Sequence, residues 1–362
     1  MKASFKNKVY AGIAILIVAI VGHLLFAGTP IEPLAYSPPE APAMEGPLKP
    51  NELLKQATLA LKGQIQGPED VAIGPDGLVY GGLADGRIVR FDPAQDVSDQ
   101  VPEEFAQTGG RPLGLAFGPG GLYVADGIKG LLQISMEGNI RTLSTGANGT
   151  PFGFTDHLDV SSNGTVYFSD ASDRFGVGEY LYDLLEAKPH GRLLKYDPQT
   201  GQTTVLRDGL YFANGVALAP DESYLLLNET YRYRVNRYWL KGPRKGEMEV
   251  VADNLPGFPD NIARSSRGSF WLCLFTVRNP VMDFLHPHPF LKKIVSRLPK
   301  FLWPKPKPYG FVLEIDGDDQ YLRSFQDPSG ENLKEVTGAK DDGKNLYLGS
   351  LHNDRIGILP MQ

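Results

Sequence analysis

Glu69 in "GPEDV", Asp156 in "FTDHL", Asn214 in "FANGV" and Asp260 in "FPDNI" share one address: each precedes a turn residue, Gly77, Gly164, Glu222 or Gly268, by eight positions. The same step back from Gly343 reaches Glu335 and from Gly121 reaches Leu113, so five of six equivalent places carry a side-chain oxygen. A single acid in such a place is ordinarily a turn or cap residue. Repetition in register is different, because carboxylates brought together repel one another and need a compensating positive charge. Oxygen donors from Asp, Glu and Asn, with no His or Cys among them, suit a hard cation. Ca²⁺ accepts such a set at irregular geometry more readily than Mg²⁺, which demands a near-ideal octahedron. The chemistry such a centre offers is polarisation of a carbonyl and activation of water.

What must position these residues is a set of short strands. From Gly67 onward, apolar and aromatic runs alternate with Gly, Pro, Asp and Asn turns: "DGLVYGG", "GGLYVAD", "NGTVYFSD", "ESYLLLNE", "RGSFWLCL" and "GKNLYLGS". Each follows a weaker strand such as "DVAIGP", "GLAFGP" or "GVALAP", and generally precedes one such as "GRIVRFDP" or "GRLLKYDP". Strands alone, recurring every ~40 to 50 residues, are the signature of a β-propeller with one four-stranded blade per repeat. The six turn positions therefore predict an all-β, six-bladed β-propeller over residues 63–362. Rotation about a central channel relates equivalent residues in such a fold, so Glu69, Asp156, Asn214 and Asp260 are expected to converge on its axis. A β-sandwich gives no reason for the same turn to recur in this way.

The remainder of the chain bounds the setting. A net charge of -6 and a pI near 5.6 argue against nucleic acid as a partner. The lone Cys273, in "SFWLCLF", reads as a core thiol, and no disulfide can form within the chain. In residues 1–28, Lys2, Lys6 and Lys8 precede the apolar run Val9–Ala27, and no Lys or Arg follows until Lys49. The run is close to the ~20 residues that span a bilayer, and "LFAGTP" is a poor cleavage site, which favours a retained signal anchor over a cleaved peptide. The charge asymmetry places the propeller on the non-cytoplasmic side, the periplasmic face of the inner membrane in a bacterium. Residues 29–62 are proline-rich and predict a semi-extended tether. The segment 284–308, "FLHPHPFLKKIVSRLPKFLWPKPKP", interrupts the fifth blade. Between Pro289 and Pro299 it sets Leu291, Ile294, Val295 and Leu298 on one helical face, with Lys292, Lys293, Ser296 and Arg297 on the other. Two readings fit: a helix lying at the membrane interface over the tunnel mouth, or a lid packed only on the propeller. "NGT" at Asn148 and Asn163 and "NET" at Asn228 are glycan acceptors in a eukaryotic secretory setting.

The stretch "GRLLKYDPQTGQTTVLRDGLYFANGVALAPDESYLLLNETYRYRVNRYWLKG", followed by "NLPGFPDNI", resembles the strictosidine-synthase-like family, within the wider group of gluconolactonases, regucalcin and paraoxonases. The likeness extends over nearly the whole chain from about Gly63. It implies one Ca²⁺ in the central tunnel, held by Glu69, Asn214 and Asp260. At the fourth place relatives read F-x-N-D-L where this chain has Asp156, whose extra charge would tighten calcium and weaken the cation's pull on a substrate oxygen. Calcium-containing relatives hydrolyse lactones, aryl esters or organophosphates. The resemblance thus implies a membrane-anchored hydrolase of a small apolar ester or lactone, with Asp260 orienting or deprotonating water. His157, beside the metal position, is a secondary candidate base, although a lone histidine in a turn is more often a hydrogen-bonding surface residue. In strictosidine synthase a glutamate at the place of Glu335 is the acid–base residue of an amine–aldehyde condensation, which gives an alternative reading; a non-catalytic binding propeller is a third. No G-x-S-x-G elbow, H-E-x-x-H pair or phosphate-binding glycine loop occurs.

Overall fold

A computed structural model describes residues 2–97, 100–318 and 320–361. Helix α1 (Lys2–Phe26) contains a 22-residue apolar span, Phe5–Phe26, none of it buried in the protein. At 1.5 Å per residue such a span reaches about 33 Å, close to the ~30 Å of a bilayer's hydrocarbon core. Met1 lies outside the described residues.

Among the described residues the body is six four-stranded antiparallel sheets, as the turns predict, with a small two-stranded ribbon beside them; the first five are in sequence order. The six innermost strands are Val71–Ile73, Pro112–Gly118, Thr155–Val160, Ala213–Leu218, Gly257–Arg264 and Val336–Asp341, which begin blades 1 to 6. Blade 6 takes its fourth strand from upstream: Thr58–Ala60 pairs antiparallel with Ile356–Pro360. The propeller therefore begins inside the segment read as tether. The distant N-terminal strand thus ties the start of the propeller to its last blade.

The proline-rich segment is not a free spacer either. Ile31, Leu48 and Leu54 are buried, and propeller side chains clamp its carbonyls. Arg174 Nη2 donates to Pro30 O at 3.1 Å, Lys292 Nζ to Leu34 O, Arg278 Nη2 to Pro39 O at 2.9 Å and Asn254 Nδ2 to Glu40 O at 2.8 Å. Proline-rich backbone has few N–H groups and forms no ladder, so its carbonyls take donors from elsewhere.

Two insertions leave the same end of the tunnel. Thr155 pairs with Asp170 and Gly257 with Val277, so in each blade the second strand returns to the end where the innermost one starts. There blade 3 inserts α2 (Tyr180–Glu186), and blade 5 inserts α3 (Pro280–Leu285) and α4 (Pro289–Arg297), with α2 and α4 packed together. The stripe Leu291, Val295 and Leu298 packs on the core as a lid does. The opposite face is not solvated as its sequence suggests: Lys292 and Ser296 are buried beneath the N-terminal segment, whose carbonyl and Thr29 hydroxyl they bond. Cys273 is a buried free thiol.

Candidate functional site

Asp156, Asn214 and Asp260 sit on β-bulges. In blades 3 to 6 the innermost strand advances by three residues while its neighbour advances by two: Thr155 to Leu158 against Asp170 to Phe168, with the same step at Ala213–Val216, Pro259–Ile262 and Val336–Ala339. The extra residue re-aims the side chains that follow. Asp156, Asn214 and Asp260 are turned inward in this way, and Glu69, two residues before the innermost strand of blade 1, joins them; all four are buried and line one cavity of about 140 Å³. Aromatic side chains of Phe154, Phe212, Tyr231, Phe258 and Phe275 form much of the remaining wall.

The electrostatics are those of crowded like charges. Burial first, and then repulsion from Asp260, Asp156 and Asp70, raises the Glu69 carboxyl well above its ordinary range. Burial and repulsion from Asp260 do the same to Asp156. Burial raises Asp260 to about 7 against the opposing hydrogen bond from the Asn214 amide. Asn261 Nδ2 donates to both Glu69 carboxylate oxygens at 3.2 and 3.3 Å. Asp156 Oδ2 and Asn214 Oδ1 are buried without a hydrogen-bond partner. Among the described residues, no three His, Cys, Asp or Glu side chains are already gathered as a finished metal cage. The four oxygen-bearing side chains nevertheless fit one hard cation by chemistry and by charge. Three carboxylates contribute -3, Arg111 in the same cavity wall contributes +1, and the remaining -2 is what one divalent ion neutralises.

His157 does not line this cavity. Its ring is fully buried one residue below the ring of oxygens, where Nδ1 accepts Val216 N–H at 3.0 Å and Nε2 lies 3.5 Å from Asp70 Oδ2. It is a buttress and cannot act as a base on a substrate. Burial alone would raise Asp70, but Lys340, His157 and the Leu115 N–H outweigh it and hold the carboxyl below its ordinary range.

Glu335 is also displaced from the ring. The blade 6 hairpin is shorter: Ala339, the first paired residue after the bulge, stands four residues before Gly343, whereas Leu158 stands six before Gly164. Counting back eight therefore overshoots by two, and the true sixth position is Thr337, whose Oγ1 donates to Glu69 O at 2.6 Å. Glu335 bonds His352 Nδ1 at 2.8 Å and does not line the cavity.

That offset exposes a second ring that the turn count missed. Two residues before each ring position come Gly67, Arg111, Phe154, Phe212, Phe258 and Glu335. The three phenylalanines and Arg111 line the cavity. Arg111 Nη1 donates to Gly67 O at 2.9 Å, across a residue with φ of +59° whose Cβ would stand 2.6 Å from Leu351 O. The triplets "GPE", "RPL", "FTD", "FAN", "FPD" and "EVT" carry this signal in the sequence. Asn228 is buried and its Nδ2 donates to Asp260 O, so it supports the site and offers no place for a glycan.

The propeller fold itself is shared with gluconolactonase and regucalcin structures. A gluconolactonase from Xanthomonas campestris superposes with a TM-score of 0.61 at 15% identity, covering 85% of this chain and 91% of that one. Regucalcin from Agrobacterium tumefaciens gives 0.56 at 13% identity, covering 86% and 93%. Identities this low speak for the fold alone. Sequence relatives narrow the class. "Adipocyte plasma membrane-associated protein" of Salmo salar is 38% identical over 371 residues, covering 94% of this chain and 86% of the relative. Strictosidine synthase-like 6 of Arabidopsis thaliana is 37% identical over 314 residues, covering 86% and 83%. The strictosidine synthase family profile matches residues 156–243, and that of the strictosidine synthase-like N-terminal region matches 46–91. The chain belongs to the strictosidine-synthase-like family.

Proposed function

We propose that this protein is a calcium-dependent hydrolase of lactones or aryl esters, anchored in a membrane by α1. The observation that carries the reading is the cavity floor, where Glu69, Asp156, Asn214 and Asp260 converge with two buried oxygens unpartnered. These four residues would hold the ion. When bound, calcium supplies Lewis-acid polarisation of the substrate carbonyl. Asp260, buried in the same cavity, would orient the attacking water or accept its proton. The Asn214 amide orients that carboxylate, and the Asn261 amide does the same for Glu69. Phe154, Phe212 and Phe258 favour an apolar or aryl group on one side, while Arg111 faces the cavity from blade 2 and suits a carboxylate product. Naming of the relatives as plasma membrane-associated supports α1 as the anchor, and the lysines before it favour a propeller on the non-cytoplasmic side.

The test is a panel of lactones and aryl esters on the full chain, with calcium and with a chelator. Turnover that disappears on chelation and in Asp260→Asn is the expected result. Calcium-independent amine–aldehyde condensation abolished by Glu335→Gln would replace the hydrolase with a synthase. Calcium binding without turnover of any substrate would leave a binding propeller.

A further inference from the structure

The insertion of blade 5 places large apolar side chains in solvent at one locality. Phe284, Phe290, Phe301 and Leu302 are 60, 58, 71 and 56% exposed, although Leu291, Val295 and Leu298 of the same segment are packed inward. Scattered exposed apolar residues need no explanation, but a concentration of phenylalanines in one loop does. From Phe284 to Pro308 the chain has no Asp or Glu, while Lys293, Lys300, Lys305 and Lys307 accompany the aromatic residues, in a protein of net charge -6.

The position of α4 says what meets this face. Arg297 Nη1 donates to Leu24 O at 2.8 Å and approaches Leu25 O at 3.4 Å, and Ser296 Oγ bonds Thr29 Oγ1 at 2.6 Å. The end of α4 is thereby fixed at the level of the last turn of α1, where a membrane span leaves the hydrocarbon. Phe290, Ile294 and Arg297 fall on one helical stripe, so Phe290 projects on the side that grips α1, about 10 Å along the axis from Arg297.

We propose that Phe284, Phe290, Phe301 and Leu302 form a docking face for the lipid bilayer that holds α1, with the lysines beside them meeting anionic headgroups. The inference rests on reading α1 as the membrane anchor. The docking face differs from the apolar helical face that the sequence suggests, since Leu291, Val295 and Leu298 are spent on the lid's own packing. Its consequence for the site is direct. Met282, Pro304 and Pro306, from the same insertion, wall the cavity, so the cavity mouth is held against the membrane surface.

The full chain, reconstituted into phosphatidylcholine–phosphatidylglycerol vesicles with brominated or ordinary acyl chains, tests this with single tryptophan probes read over the native background. Ile15→Trp reports the anchor, Phe290→Trp and Phe301→Trp the docking face, and Ile140→Trp, on the outer strand of blade 2, the propeller wall. The expected result is about a twofold or larger loss of probe emission in brominated vesicles for the first three and none for the last. A quenched Ile15→Trp with Phe290→Trp and Phe301→Trp as unresponsive as Ile140→Trp would overturn the docking face, whether it is bare or covered by a second copy, and leave the anchor standing. A silent Ile15→Trp would overturn both.

Discussion

Odd and even blades meet the channel differently. Blades 1, 3 and 5 supply the carboxylates Glu69, Asp156 and Asp260, each followed by a polar residue, Asp70, His157 or Asn261. Blades 2, 4 and 6 supply Leu113, Asn214 and Thr337, each followed by glycine. The alternation is steric. A Cβ on Gly215 would stand 2.5 Å from Asp260 O and Ile262 N, one on Gly114 would stand 2.7 Å from His157 Cα, and one on Gly338 would stand 2.6 Å from Asp70 Oδ1. The polar residues of odd blades occupy space that the even-blade glycines leave open, and from there Asp70 and His157 accept the Leu115 and Val216 N–H groups of the next blade. Odd blades carry the charge and even blades let them close in. Carboxylates on alternate blades of six stand about 120° apart, the widest separation such a ring allows while all three still face its axis.

The strongest way to break this division is to give an even blade a side chain where it has none. Gly215→Ala meets backbone atoms that cannot rotate away, so a loss of about 3 kcal/mol or more is expected in urea unfolding. Near-wild-type stability would make the alternation accidental. Next in size is the response to calcium. With the ion at about 100 times its Kd, wild type should gain about 2.7 kcal/mol over the chelated protein. Asp260→Asn should lose most of that gain and, because repulsion among the acids is relieved, be more stable than wild type in chelator. Thermal melts of the two proteins with calcium and with chelator read both signs. A Leu113→Met control, at the even-blade ring position without oxygen, should leave the calcium response unchanged.

The blade count and the four oxygen donors were legible because every turn with the same spacing repeats the same geometry. Glu335 was misplaced because a hairpin shortened by two residues breaks that spacing silently; only strand pairing shows that Thr337 holds the position. His157 looked catalytic from its neighbour Asp156, but adjacent residues on a bulged strand need not share a face. Arg111 escaped notice because it precedes the one ring position without oxygen. The tether and the polar face of the lid helix were misread for one shared reason. Composition reports that Lys292 is cationic and that residues 29–48 are proline-rich, but not that the carbonyls of the second satisfy the first.

Charge on odd blades extends beyond the ring, and this sharpens the comparison further. Asp183, buried in the α2 lid that blade 3 carries, has its carboxyl raised from 3.8 to about 7, chiefly by burial, although Ser172 Oγ donates to Oδ2 at 2.6 Å. A carboxyl raised on folding favours the native state while protonated. Its contribution is complete below about pH 4 and is lost as pH rises through about 7, with a slope of up to about 1.4 kcal/mol per pH unit between. Asp183→Asn should flatten this part of the stability profile; an unchanged slope between pH 5 and 7 would show that the lid carboxyl is not held protonated.

The smallest effect is expected at an even blade. Thr337 contributes no charge, and its role is to donate to the Glu69 carbonyl of the neighbouring odd blade. Thr337→Val keeps the shape and removes that donor, so the cost should be about 1 kcal/mol in stability. If blade 6, unlike blade 4 with its Asn214, acts only by holding its neighbour, the calcium response should survive, because the Glu69 carboxylate keeps both hydrogen bonds from Asn261. Loss of calcium-dependent stabilisation in Thr337→Val, out of proportion to the stability cost, would instead make Thr337 a member of the ligand set, and the division between charge-bearing and supporting blades would fail at blade 6.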